Sequence, residues 1–387
     1  MPMTPWMITV FTAAPIVEAL VPNQWRLGYG IWAVIVPVSA IPLLLSLYFR
    51  EKRYTISSPR IEPAARRAKP TLHNMHFDVV GFLMFTTGLA FILFSAANST
   101  PQSYSLASTV VGISGILMLL VFCYYELHVA RHPILAMHLA RDRTVAGGCL
   151  LAIFLFGGFA IYQPYFYSYL VVARNESPSV ATNAGLVSLF VSVIAGLMAS
   201  AVVKFTKRYK WIMIVGVMLR IGSAGLLLVY TTTESSIGQI MAAQVLVGIG
   251  TGMGGLIVQV GVQAAVSSRD IATACALYAT ASSIGNFLGD LISSLLWSSM
   301  LLTRLESSLP GTAKGNATAI ANSIIVAQSY PMGTPERDAI NESYVSVIRA
   351  LQVTGISVFM LGLLTAFWMR DIDLDREDPI PFDERER

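Results

Sequence analysis

Charge is scarce in this sequence: Asp, Glu, Lys and Arg together make up 12% of the 387 residues, about half of what soluble domains carry. A water-facing surface of ordinary density cannot be built from so few charges. Hydrophobic residues at 55% and a mean hydropathy of +0.63 point instead to a lipid environment. Cysteine is sparse as well. Cys123, Cys149 and Cys275 each lie in a separate apolar stretch, where a thiol behaves as a small hydrophobe, so no disulfide framework is expected. With a net charge of +4 and no long basic run, the chain lacks the footprint of a nucleic-acid binder. His73, His76, His128, His132 and His138 all fall between or at the edges of apolar stretches, at spacings that fit no zinc template, so no metal site or cofactor is expected. Nor is there a nucleophile elbow, a metalloprotease helix or a phosphate loop where one could operate, which argues against an enzyme. Residues Met1 to Trp6 carry no positive region and no small-residue cleavage site, so no removed leader is expected.

What is abundant is apolar stretches about 20 residues long, the length that crosses a ~30 Å hydrocarbon core at 1.5 Å per residue. They are read at 5–21, 30–49, 78–97, 106–127, 146–172, 180–203, 211–230, 238–262, 271–300 and 348–369. The fold class is therefore all-α and polytopic, with about ten transmembrane helices. The first is short and holds Pro15 and Glu18, which suits a half-span or a helix supported by its neighbours.

Ten spans assign the loops alternately to two sides. One side collects 19 of the 26 basic residues, from Arg50 to Lys69, Arg131 to Arg143, Lys204 to Lys210, Arg269, and Arg370 onward. The excess places that side, with both termini, in the cytoplasm. All four N-x-S/T acceptors, at Asn98, Asn175, Asn316 and Asn341, fall on the opposite, external side, where glycosylation requires them. The chain divides into two spans over 1–49, a basic proline-containing linker over 50–77, two central spans over 78–127, a six-helix unit over 128–370 with a long external loop at 301–347, and an acidic tail over 371–387. The loop is too long for a simple turn, so it is either functional or loosely ordered.

Several residues inside the spans could carry chemistry. The run from Gly248 to Gly255 contains a formal G-x-G-x-x-G, but it sits within a membrane span, so its glycines are read as close-packing sites or a hinge. Tyr278, Ser282, Asn286 and Asp290 recur every four residues, and Ser293 and Trp297 continue the face. A carboxylate at that depth is costly unless it meets a cavity, a partner or a proton, so the stripe reads as cavity lining or a polar helix contact. Gln259 and Gln263 stack one turn apart and could line the same cavity or bond to another helix. Arg220 is the one clear cation inside a span and should meet a carboxylate, backbone carbonyls or an anionic substrate. Asp290 and Glu18 are the proton-site candidates. Tyr165 and Tyr169 belong to an aromatic cluster around Pro164 that reads as an interface belt or as a stacking surface for substrate.

The stretch Trp25-Arg-Leu-Gly-Tyr-Gly-Ile-Trp-Ala-Val-Ile-Val-Pro37 resembles a signature of fungal siderophore-iron transporters, a fourteen-helix branch of the major facilitator superfamily. Tyr125-Glu126 with Ala130 to Ile134, Tyr165 to Leu170, Gly248 to Met253, Asp270 to Tyr278, and Tyr344 to Gly355 resemble further segments of that branch. The resemblance implies a major facilitator fold whose N-terminal bundle is incomplete, about four helices short. It implies proton-coupled uptake of a siderophore-like chelate in the plasma membrane, or in an endosomal or vacuolar one, with iron entering only as part of the small-molecule cargo and the bilayer as the other partner. An efflux antiporter of the same superfamily and a truncated, non-transporting membrane protein are the alternatives. Asp290 departs from the family, which more often has a small or amide residue there.

Overall fold

A computed structural model describes residues 25–57, 78–98, 106–130, 139, 141–267, 270–311 and 313–374. The described residues form helices joined by short turns: α1 (Trp25–Ser57), α2 (Val79–Asn98), α3 (Leu106–His128), α4 (Arg143–Val172), α5 (Pro178–Thr206), α6 (Lys210–Tyr230), α7 (Ile237–Thr251), which runs through a π-helical turn (Gly252–Leu256) into α8 (Ile257–Ala264), α9 (Ile271–Ser308), the short α10 (Ala317–Asn322) and α11 (Ile324–Gln328), and α12 (Pro335–Trp368). No strand occurs among them; Arg208 and Asp373 form one isolated bridge. Eight helical spans are long and apolar enough to cross a bilayer, and Val79–Ser95 adds a shorter apolar one. The protein is an integral membrane protein. The span expected at 5–21, Glu18 included, lies outside the described residues, as do most of the linker and the tail beyond Leu374.

Caps fix where several helices start. Asp142 accepts from the Thr144 and Val145 amides at the head of α4, Ser177 precedes Pro178 at α5, Ser236 and Gln239 make a reciprocal box at α7, and Thr334 precedes Pro335 at α12. Each satisfies donors that the first turn would otherwise leave bare.

Six spans form one bundle of two interlocked triplets. The first span of one triplet, α4, packs on the second and third of the other, α9 and α12; reciprocally α7 packs on α5 and α6. Such an exchange is the mark of a three-helix unit repeated about an in-plane axis. The glycine run makes the second half possible. Gly248 and Gly252 lie against Ser188, Ser192 and Gly196 of α5, while Gly250 and Gly254 lie against Arg220 and Gly216 of α6, and in most of these positions a Cβ would overlap backbone. Packing is thus what these small residues do. The π-helical turn falls inside the same run.

Helices α2 and α3 pair with each other, and α2 touches α9. Most described side chains of α1, among them Trp32, Val34 and Leu44, are exposed to the surroundings, as suits a lipid-facing helix.

The region 301–347 departs from expectation. Instead of the long loop expected there, either functional or loosely ordered, α9 continues to Ser308 and α12 begins at Pro335, so both helices project well past the hydrocarbon, α9 measuring about 57 Å at 1.5 Å per residue. Between them, Leu305, Leu309, Ala313, Ala317, Ile320 and Ala327 are buried and form a small folded cap. At the opposite, basic end, the turn after α5 grips the end of α12. Lys207 takes a left-handed φ of 57°, its carbonyl accepts from the Leu374 amide at 3.0 Å, and Arg208 meets Asp371 at 3.5 Å. Tyr209 donates to the Arg370 carbonyl, and burial pushes its hydroxyl well above the usual range.

Candidate functional site

The contact between α4 and α9 is built on glycine. A Cβ on Gly289 would overlap the Gly157 carbonyl oxygen, so the two backbones touch where larger residues would hold them about 8–10 Å apart. That approach lays Trp297 of α9 flat on Tyr165 of α4, ring centroids 4.1 Å apart and planes within 5°. Tyr344 of α12 meets the other side of Trp297 edge-on at 5.4 Å. Asp290 stands two turns from Trp297 on the same helix, exposed, on the side of the Tyr165 hydroxyl.

The four-residue stripe does not act as one unit. Tyr278 is buried and donates to the Gly255 carbonyl at 2.8 Å, and Ser293 donates to Ile161; both are helix contacts. Ser282 returns its hydroxyl to its own helix at Tyr278 and Ala279. Asn286 is half-buried and Asp290 exposed. Gln263 reaches across to the Cys275 sulfur at 3.1 Å, whereas Gln259 is half-buried. Tyr165 and Gln259 are half-buried, while Asn286 and Asp290, one turn apart, give α9 an open polar face. A separate cavity of about 310 Å³ lies between α2 and α9, lined by Phe85, Leu89, Ala279, Thr280, Ser283 and Ile284; none of the nominated residues lines it.

Of the three partners expected for Arg220, the described residues supply a backbone carbonyl, that of Val247. Arg220 meets no carboxylate among the described residues and opens onto no substrate face. It is 2% exposed in the bundle core, its guanidinium 5.2 Å from the Phe159 ring and 4.7 Å from that of Phe359. Tyr162 Oη at 3.3 Å and the Val247 carbonyl at 3.5 Å accept from it. Two phenyl faces supply what an anion would have supplied. Tyr169 is likewise a structural residue: fully buried, it donates to the Thr232 carbonyl at 2.9 Å and is no stacking surface.

Among the sequons, Asn175 and Asn316 are exposed. Asn341 is not available to a sugar: it is 5% exposed within α12, and its Oδ1 accepts from Arg337 Nε at 3.1 Å. Asn98 ends α2, and the rest of its sequon lies outside the described residues. No group of three or more potential metal ligands occurs among the described residues.

Sequence reasoning missed Arg337. It is 1% exposed and ties the cap together, donating to the carbonyls of Ala327 at 2.6 Å and Val172 at 2.7 Å as well as to Asn341. The i, i+4 pair Arg337 and Asn341 behind the Thr334-Pro335 start was the available signal. Gln244 was missed too, fully buried with both amide atoms lacking a partner among the described residues.

No family model matches the chain. Individual relatives do. The MFS siderochrome iron transporter C of Aspergillus fumigatus is 32% identical across 100% of this chain and 66% of its own length. The siderophore iron transporter mirC of Emericella nidulans is 32% identical over 97% of this chain and 64% of that protein. The chain belongs to the fungal siderophore-iron transporter branch of the major facilitator superfamily. The siderophore iron transporter 1 of Schizosaccharomyces pombe adds a match of 30% identity over 90% of this chain and 57% of that one. The chain thus spans less than two thirds of the length of these relatives. A solved bacterial homologue of the human lysosomal transporter Spinster, inward-facing and occupied, aligns at a TM-score of 0.41 with 18% identity, over 74% of this chain and 65% of that one.

Proposed function

We propose that this chain moves ferric siderophores across a membrane, drawing on the proton gradient, with iron entering as part of the chelate. The observation that carries the reading is the match, over nearly the whole chain, to relatives named as siderophore iron transporters. The interlocked six-helix bundle supports it, since carriers of this kind work by rocking such units around a site near the bilayer midplane. So does the open face of α9, which holds polar side chains deep in its span at Asn286 and Asp290, a placement that is costly unless function uses it. The basic end then lies in the cytoplasm with both termini, and the folded cap and the exposed Asn175 and Asn316 lie outside, in the plasma membrane. Asp290 is the proton-site candidate on the described part of that face.

The test expresses the full chain in cells lacking siderophore uptake and follows radioactive iron supplied as a ferric trihydroxamate. Uptake above vector controls that collapses with a protonophore is the expected result. Uptake equal to the control, or net export of preloaded chelate, overturns the reading.

A further inference from the structure

The charges on the open face are unusually one-sided. Between Arg143 and Arg174, from Pro178 to Val203, from Ile237 to Ala264 and from Ile271 to Thr303, the helices α4, α5, α7–α8 and α9 contain a single carboxylate, Asp290, and no Lys, Arg or His. Among the described residues the one deep cation in the spans, Arg220, is sealed in the core between two phenyl rings. Arg174 and Arg349 lie instead toward Tyr169, whose hydroxyl is held at Thr232. Asp290 is therefore a lone negative charge, exposed beside the Tyr165–Trp297 stack, and with Asn286 one turn away. An exposed carboxylate beside neutral hydrogen-bonding groups, with no fixed cation to neutralise it, favours an ammonium group. An anionic ligand would meet only repulsion there, at a depth where charge is poorly screened.

We infer that this face selects its chelate by charge, binding ferric hydroxamates that carry a free ammonium arm in preference to those that carry a free carboxylate, with Asp290 as the residue that sets the preference. The inference rests on the proposed transport of siderophores and names the class of cargo within it. Asp290 is exposed, and none of the tertiary hydrogen bonds described above uses its carboxylate, so replacing it removes the charge without breaking a structural contact.

The experiment uses the full chain in lipid nanodiscs and three radiolabelled gallium trihydroxamates identical except for one arm: a free amine, its acetamide and its succinamide, which are cationic, neutral and anionic. The amine form should bind at least about tenfold more tightly than the succinamide, the acetamide falling between, as one unit charge at a partly shielded site provides. Asp290→Asn should bring the three within about threefold, and Asp290→Lys should reverse the order. Equal binding of all three by the unaltered chain, or an order that Asp290→Asn leaves intact, overturns the assignment. Should the order hold while cells take up no iron, the transport reading alone falls. If iron is carried without any order among the arms, the charge assignment alone falls. A chain that binds none of the three overturns both.

Discussion

Replacing Arg337 with Met should unfasten the folded cap between α9 and α12 while leaving the membrane bundle assembled. The guanidinium is buried and places well-formed hydrogen bonds on the Ala327 carbonyl, the Val172 carbonyl and Asn341 Oδ1, with a longer one of 3.4 Å to the Tyr330 carbonyl. Hydrogen bonds from a charged donor contribute about 1.5–3 kcal/mol each, and a buried acceptor left without a partner costs about 1–3 kcal/mol. Three such bonds would sum to more than is lost, because the cap lies at the end of the bundle and water can reach the freed carbonyls once it loosens. About 3–4 kcal/mol is therefore expected, and it should fall on the opening of the cap rather than on global unfolding. At 1.4 kcal/mol per factor of ten, amides of residues 317–341 should exchange with deuterium roughly 100- to 1,000-fold faster in nanodiscs, while those of α5, α6 and α7 keep their protection. Arg337→Lys should recover only part of the loss, since an ammonium cannot reproduce the planar fork. The reasoning is refuted if exchange over 317–341 changes less than threefold in Arg337→Met, or if protection falls equally throughout the molecule.

Arg220→Met should behave oppositely: its hydrogen bonds are long, at 3.3 and 3.5 Å, and an apolar side chain of similar volume can replace an unpaired buried charge at little cost, so the melting temperature in detergent should move by no more than about 1 kcal/mol of stability allows, whereas a loss like that of Arg337→Met would contradict the core assignment. Gly289→Leu should drive α9 off the Gly157 carbonyl and break the Tyr165–Trp297 stack, detected as a red shift in Trp297 emission in a chain whose other tryptophans are replaced; unchanged emission would refute it. Gly222→Ala and Gly225→Ala, where an added Cβ meets nothing, should each raise stability by roughly 0.5–1 kcal/mol, and destabilisation would show hidden contacts. Peptide mapping of the chain from a eukaryotic host should find Asn341 without sugar, and a glycan there would contradict its burial.

Most of the fold was legible because crossing a bilayer leaves few options: the nine spans read from 30–49 onward all correspond to helices, and the α4 and α6 boundaries fall within three residues of the expected ones. The exceptions are α1, which starts 5 residues before and ends 8 residues after the span expected at 30–49, and the facing ends of α9 and α12, extended by 8 and 13 residues. Hydropathy ends where the hydrocarbon ends, and Arg304, Glu306, Glu336 and Arg337 mark that limit. A helix does not have to stop there. Leu301, Leu305 and Leu309 continue at four-residue spacing and are all buried, a signal of packing against protein that a search for lipid-length runs passes over.

The site was less legible, and Tyr278 to Trp297 show why. A four-residue step turns a helix of 3.6 residues per turn by about 400°, so each step drifts about 40° around the axis. Over the three steps from Tyr278 to Asp290 the stripe winds through about 120°, enough to begin on one neighbour and end on none. Tyr278 meets the Gly255 carbonyl, Asn286 is half-buried, and Asp290 is exposed. Ser293, offset by three rather than four, swings back against Ile161. A polar stripe in one helix fixes the angle each residue takes, but whether that angle meets a helix or a cavity depends on the neighbours. Here the neighbour was set by Gly157 and Gly289, residues with no side chain to give the contact away.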